Sequence, residues 1–337
     1  MTLSVARSHK PPERGPGRRV LACASSGGHF KQLVSLIDRL PNVGEVTWVT
    51  YDRGLSVDLL HAAGRGHERL VFAAYAAPRD LPNLSRNAAL VGSLLREEPY
   101  DLAISTGAGI AVAALPLARA MGVRACFIES ATRSEGPSFS GRILQRIPGI
   151  ELFTQNAKTG PDGYRARWKL VGSVHDGFAP GPESAPVAIR RVVVSLGTIQ
   201  PYGFGRLINR LVDILPSEAE VLWQTGATDV SDLPIEGLET VPGPAFEAAV
   251  EAADVVIAHA GTGTAVTAFE RGRCPILVPR RRAHGEHIDD HQVITAEALA
   301  ARGLALYAEV EQLTPEVLAT AAARTIVRRS DVGLFAI

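Results

Sequence analysis

From Arg19 onward the chain alternates short β-branched and small apolar runs with Gly-bearing turns, each followed by apolar residues at helical spacing. Strand, turn and helix repeated in that order predict a parallel sheet with helices on both faces. RRVLACASSGGHFKQLVSLIDRL is the first unit: a strand at Val20–Ala24, a turn at Ser25–Gly28, and a helix with Leu33, Leu36, Ile37 and Leu40 on one face. VGEVTWVTYD and LVFAAY predict strands, and LSRNAALVGSLLREEP a helix. YDLAISTGAGIAVAALPLARAMG repeats strand, Gly turn and helix, RACFIES adds a strand, and Leu152 to Val171 closes this half.

GSVHDGFAPGPESAPVAIRR is rich in Pro, Gly and Ser, lacks periodicity, and predicts a linker at 173–189. The strand pattern restarts with RRVVVSLGT, followed by a helix in FGRLINRLVDILP, a strand in AEVLWQTG, a helix in FEAAVEAA and a strand in DVVIAHAG. GTGTAVTAFERG opens another helix, CPILVP is a strand, and ITAEALAARG and PEVLATAAARTIVRR are late helices. The expected class is α/β, with a basic tail at 1–18 and two doubly wound, Rossmann-like domains at 19–172 and 190–337 facing across a cleft.

Composition adds polarity. The chain of 337 residues is 46% apolar and carries 35 Lys+Arg against 35 Asp+Glu. Zero net charge argues against a dedicated nucleic-acid binder. Residues 1–180 nevertheless hold 22 basic and 15 acidic side chains and residues 181–337 hold 13 and 20, so the halves are +7 and −7 and meet different partners. Three cysteines without motif spacing support neither a disulfide framework nor a zinc site, and a reduced, cytoplasmic compartment follows. The N-terminus has no apolar stretch of the signal-peptide kind and reads as a disordered tail. The longest uncharged run, Leu102 to Ala118, is shorter than the roughly 20 residues of a bilayer span and is broken by Gly and Pro.

Ligands of open parallel sheets bind at the turns after the strands. Four such turns carry glycine: SSGGH at 25–29, STGAG at 105–109, SLGT at 195–198 and HAGTGT at 259–264. Gly261 and Gly263 leave backbone N–H groups uncovered at a helix start, and Thr262 and Thr264 add hydroxyls, an arrangement suited to a diphosphate; tight turning alone is the plainer use of such glycines. No turn matches either specific nucleotide fingerprint, which weakens NTPase and dehydrogenase readings. PRRRAHGEHIDDHQ at 279–292 places His284, His287 and His291 beside Asp289 and Asp290, but three adjacent arginines repel a divalent ion and fit a loop that clamps an anionic or sugar-bearing ligand better. Arg280 to Arg282 equally fit a solvated run. His29, after two glycines at the mouth of the first turn, is the candidate for proton transfer, with a capping role as the alternative. Glu129 ends an apolar strand as a cleft carboxylate or as the structural partner of Arg133, and His259 lies close enough to its strand for a hydrogen-bonded, largely buried role.

These motifs resemble a known arrangement over nearly the whole chain after residue 19. SSGGHFKQL, ISTGAG, and FIES with TR and SFSGRIL are similar to the acceptor-side subunit of the two-part N-acetylglucosaminyltransferase that extends dolichol-linked oligosaccharide, and to bacterial exopolysaccharide glycosyltransferases. VVVSLGT, HAGTGTAVTAFERG and VPRRRAHGEHIDDHQ resemble its donor-side subunit, here fused in the order of the glycosyltransferase family 28 peptidoglycan enzyme. The resemblance implies a GT-B enzyme that inverts the anomeric carbon of a nucleotide sugar, usually a UDP-sugar, without a metal or other cofactor. It implies His29 as base; Glu129, from its place in the chain, is the candidate second catalytic carboxylate. For the donor it implies Gly197, Thr198, Phe246, Gly261, Thr262, Gly263, Thr264, Arg280, His287 and Gln292. For the acceptor, a polyprenyl-linked or other glycan, it implies Ser26, Gly27, Gly28, Gly107, Gly109 and Arg133. Family 28 commonly places a ribose-binding glutamate where this chain has Thr267, and Glu270, one turn on, is expected to replace it. The basic half suits peripheral contact with an anionic membrane on the cytoplasmic face. A soluble small-molecule acceptor and a non-catalytic scaffold are the competing readings.

Overall fold

The structure is a computed structural model that describes residues 17–51, 54–76, 80–133, 136–156, 167–185, 188–197, 202–287, 290–335 and 337. The tail at 1–16 lies outside the described residues. The N-terminal sheet contains β1 (Arg18–Ala24), β2 (Val43–Thr50), β3 (Arg69–Phe72), β4 (Leu102–Gly107), β5 (Arg124–Ile128), β6 (Ile150–Thr154) and β7 (Trp168–Leu170). Its order is β3-β2-β1-β4-β5-β6-β7, parallel throughout. Helices α1 (Gly28–Ile37), α2 (Gly54–Ala62), α3 (Leu81–Glu97), α4 (Gly109–Ala120) and α5 (Phe139–Leu144) connect these strands.

After β8 (Phe178–Pro180) a second parallel sheet is built from β9 (Arg191–Ser195), β10 (Glu220–Gln224), β11 (Gly237–Leu238), β12 (Val255–Ala258), β13 (Ile276–Leu277) and β14 (Leu306–Tyr307) in the order β11-β10-β9-β12-β13-β14. Its helices are α6 (Gly205–Ile214), α7 (Gly243–Ala252), α8 (Thr262–Glu270), α9 (His291–Ala301) and α10 (Pro315–Ala323). Both sheets show why their strands read as unbroken apolar runs. Val20, Ala22 and Ala24 pack on one face with Phe30, Leu33 and Leu36 of α1, while Leu21 and Cys23 pack on the other with Ala111 and Leu115 of α4. Val192 and Val194 likewise face α6 while Val193 faces Val250 of α7. A strand buried on both faces has no polar alternation to display.

The chain end departs from expectation. TIVRR does not extend the last helix: α10 stops at Ala323, and β15 (Ile326–Arg328) pairs antiparallel with β8 inside the stretch read as a linker. Thr325, Ile326 and Val327 are β-branched in succession, a poor helical run with a free strand edge beside it. Beyond β15 the chain returns to the N-terminal sheet, where Phe335 N–H donates to the Arg39 carbonyl at 2.8 Å and the Arg39 guanidinium lies 3.9 Å over the Phe335 ring.

The crossing from one sheet to the other is held from both sides. A short 3-10 turn at Val174–Gly177 receives Arg39 Nη1 on the Ser173 carbonyl at 2.7 Å, and Arg302 donates to the His175 carbonyl and to Asp176 at 3.1 and 3.0 Å. His175 is buried edge-on against Phe269, and burial, with Arg302 nearby, pushes its pKa down to about 4. An unfolded histidine titrates near 6.5, so between these values the unfolded chain binds more protons and stability falls as pH drops, by up to about 3 kcal/mol for this group. The urea midpoint is expected to fall between pH 7 and pH 4.5 and to fall less steeply in His175→Leu; equal slopes would remove His175 from the acid response.

Candidate active site

The carboxyl ends of β1 and β4 converge on His29. Gly27, at φ +76, turns the chain out of β1, and α1 begins at Gly28 with no side chain capping its first turn. His29 Nδ1 lies 2.9 Å from the Thr106 carbonyl oxygen, while Thr106 Oγ1 donates to the His29 carbonyl at 2.7 Å. A carbonyl only accepts, so the ring proton sits on Nδ1 and Nε2 presents a lone pair. Burial lowers the His29 pKa, Thr106 partly restores it, and the Arg133 charge lowers it further, so the ring is neutral and basic at pH 7. Gly107, at φ +135, makes room for the imidazole: a Cβ there would sit 2.9 Å from His29 Cε1.

The second sheet repeats the device. His259 Nδ1 lies 3.1 Å from the Ser195 carbonyl, and the ring fills a slot where a Cβ at Gly197 or Gly261 would come within 2.6 or 2.4 Å of it. Burial and the charge of Arg280 push its pKa down to about 3. This buried, hydrogen-bonded role is the one expected of it. After it, α8 starts at Thr262 with Gly261 as an N-cap that supplies no side-chain bond. Thr262 Oγ1 is buried and has no partner among the described residues, whereas Thr264 Oγ1 is 3.2 Å from Ser195 Oγ.

Arg280 is 1% exposed. Its guanidinium donates to the Leu196 carbonyl, and its Nε has no partner among the described residues. Glu286, the carboxylate that acts on it, is ion-paired with Arg206 at 2.8 Å. Burial holds the Arg280 pKa down at about 10, still fully charged at pH 7. A buried cation with a free donor beside an uncapped helix start is an anion site in charge and geometry. Gln292 accepts from Arg280 N–H at 3.0 Å and so shapes this loop. His287 stacks on Tyr202 and meets His291 edge-on. Phe246 packs on the Val193 and Val250 side of the sheet. Thr198 and Asp289 lie outside the described residues. Those residues include no group of three or more His, Cys, Asp or Glu placed to hold a metal.

On the acceptor side, Ser26, Gly27 and Gly28 form the half-buried turn into α1, and Gly109 opens α4 after Ala108, whose φ is +63. Ser140 Oγ donates to the Ala108 carbonyl at 3.1 Å, and Arg133 lies close enough to influence His29. Two carboxylates are already engaged. Glu129 is 1% exposed, and its oxygens accept from Ser130 and Ser138 N–H at 3.2 and 2.8 Å. These bonds tie the two ends of the loop that carries Arg133, and burial raises the Glu129 pKa. Glu270, expected to replace the ribose-binding glutamate, is engaged with its Oε2 2.7 Å from Lys31 Nζ of α1 and its Oε1 3.7 Å from Arg328. Sequence reasoning missed Lys31, Thr106 and Ser195. Lys31 stands inside SSGGHFKQL, and its only signal was a charge on a helix otherwise buried around it.

Residues 192–328 match the family model described as the glycosyltransferase family 28 C-terminal domain. The chain is 27% identical over 310 residues to the UDP-N-acetylglucosamine--N-acetylmuramyl-(pentapeptide) pyrophosphoryl-undecaprenol N-acetylglucosamine transferase of Halorhodospira halophila, covering 85% of this chain and 82% of that one. Among solved structures, Acinetobacter baumannii MurG matches with a TM-score of 0.53 at 19% identity, over 90% of this chain and 89% of that one. A UDP-N-acetylglucosamine 2-epimerase matches with a TM-score of 0.59 at 12% identity, over 90% and 85%. The structural likenesses establish the fold alone.

The His29 slot yields a stability test. Gly107→Ala brings both a left-handed backbone strain and a clash with the imidazole, and is expected to destabilise by about 2 kcal/mol or more. Gly122→Ala, at φ +85 with nothing within 4 Å of the new Cβ, carries the strain alone. Equal losses in urea denaturation would show that the ring is not held against Gly107.

Proposed function

We propose that the chain, whose C-terminal half matches the family 28 glycosyltransferase domain and whose fold is that of the GT-B enzymes, is a family 28 glycosyltransferase that transfers an N-acetylhexosamine from a UDP-sugar to a hydroxyl of a polyprenyl-diphosphate-linked acceptor. One observation carries the reading: the uncapped starts of α1 and α8, one bearing His29 and the other the anion site, meet across a seam one methyl group wide. An ideal Cβ on Gly28 would lie 3.8 Å from Gly263 N, and one on Gly263 would lie 3.8 Å from Gly28 Cα. Base and leaving-group site thus serve a single reacting centre.

In the proposed reaction His29 Nε2 takes the proton of the acceptor hydroxyl. The oxygen forms its bond to the anomeric carbon from the face opposite the diphosphate, the carbon–oxygen bond to the β-phosphate breaks, and the configuration inverts. The bonding pair leaves with UDP, whose charge is received by N–H groups at the start of α8, by Thr262 and by Arg280. The named substrates of the relatives support a UDP-N-acetylglucosamine donor and an undecaprenyl-linked acceptor. The surface supports a lipid-linked acceptor on separate grounds. Ala76 approaches Gly109, and Ser140 bonds the Ala108 carbonyl, so Tyr75 and Phe139 flank the start of α4, 69% and 63% exposed. Apolar side chains beside a helix N-terminus suit a diphosphate with a hydrocarbon tail and peripheral membrane contact. None of the described helices is long and apolar enough to cross a membrane.

UDP at saturation is expected to raise the melting temperature, and flotation with anionic vesicles is expected to carry the protein upward; no shift with any nucleoside diphosphate would sink the donor assignment. Arg280→Met should weaken UDP binding by roughly tenfold or more, since it removes a charged hydrogen bond. His29→Ala should reduce kcat by about 10² or more with UDP affinity nearly unchanged. Because its pKa is lowered, the neutral base persists below pH 6.5 and is lost only as pH falls through the folded value. The acid limb of kcat/KM is therefore expected below pH 6.5, and a limb above neutrality would point to another base.

A further inference from the structure

We propose that Lys31 is a positioning residue that sets the register of the base helix α1 against the donor helix α8, an inference that rests on the roles given above to His29 and to the start of α8. Lys31 is 7% exposed, and its ammonium has partners only from the other sheet's side of the seam among the bonds described: Glu270 Oε2 at 2.7 Å and Thr267 Oγ1 at 2.6 Å. Thr267 and Glu270 are three apart on α8 and so present one face to it. Thr267 Oγ1 in turn donates to the Gly263 carbonyl at 3.0 Å. The ammonium is therefore linked through one hydroxyl to the first turn of α8, where the leaving diphosphate is received.

On α1 the same lysine is two residues from His29, about 3 Å along the axis and roughly 200° around it. His29 faces the end of β4 and Lys31 faces α8, so the helix is pinned on opposite sides, by Thr106 within its own domain and by Thr267 and Glu270 across the seam. Moving Lys31 shifts the distance between Nε2 and the anion site without removing any group that touches substrate. Displacements of about 1 Å at reacting centres lower rates by about 10²-fold. A charged pair suits the task better than apolar packing, because a desolvated ion pair is nearly neutral for stability yet demanding in geometry.

The test uses the full chain, with Lys31→Met preserving most of the buried stem and Glu270→Gln keeping an acceptor for the ammonium if the first variant folds poorly. Lys31→Met is expected to lower kcat by about tenfold or more while the UDP dissociation constant stays within about twofold. The double variant is expected to be no slower than Lys31→Met alone, since both act through one contact. Hydrogen exchange at residues 28–37 and 262–270 is expected to speed up in Lys31→Met without any substrate. Unchanged kcat would make the lysine merely structural, and a tenfold weaker UDP complex would make it a donor ligand; either overturns the proposal. Unchanged exchange overturns it whatever the activity. Faster exchange in Lys31→Met, together with a wild-type protein that binds no UDP, would instead leave the seam contact standing and bring down the transferase reading.

Discussion

Two helix starts that lack side-chain caps, Gly28 of α1 and Thr262 of α8, are brought face to face across a gap one methyl group wide. Each carries uncompensated N–H groups and a partial positive charge, so their apposition is unfavourable until an anion occupies their vicinity. Gly27, at φ +76, and Gly261, against the His259 ring, also meet local needs, and as N-caps without side chains both leave the amides of these helix starts open. A capping serine or aspartate would satisfy the amides and so fill the place a diphosphate takes. Glu270, a carboxylate at the seam, is held by Lys31 rather than by these amides.

The two sheets seat their histidines by the same local means and obtain different chemistry from burial. In each, the imidazole donates from Nδ1 to a carbonyl at a strand end and lies against glycines that a Cβ would obstruct. His29 stays half-buried, with a pKa lowered but partly restored by Thr106, and keeps an accessible lone pair suited to taking a proton. His259, nearly enclosed and beside Arg280, is driven to about 3 and stays neutral throughout the range in which the protein works. Adding a charge there would set two buried cations against each other.

Local features were legible in the sequence. Runs such as RVLACA and RRVVVS read as buried strands because each face of each sheet is covered, and Gly-bearing turns marked both helix starts at the seam. His29, Arg280 and Gln292 were visible from motif and residue type. What stayed hidden depends on contacts between distant segments. Lys31 meets Thr267 across 236 positions, so its engagement with Thr267 and Glu270 has no local signature. The strand at Ile326–Arg328 exists because β8 offers an edge, and helix periodicity in PEVLATAAARTIVRR carries no record of that edge.

The opposed charges of the two halves acquire a structural sense at the seam. A half with net charge −7 has to supply positive potential locally if it is to receive an anionic nucleotide, and a buried arginine and an uncapped helix start are what it offers. Its own carboxylate nearest the base helix, Glu270, is neutralised by a lysine from the half of charge +7. Long-range attraction between the halves is screened over about 8 Å at physiological salt, so the net charges themselves do little to hold the domains together. The Lys31–Glu270 pair, with its ammonium buried, is screened less, and it adds to the Arg39, Arg302 and Phe335 contacts that join the two sides.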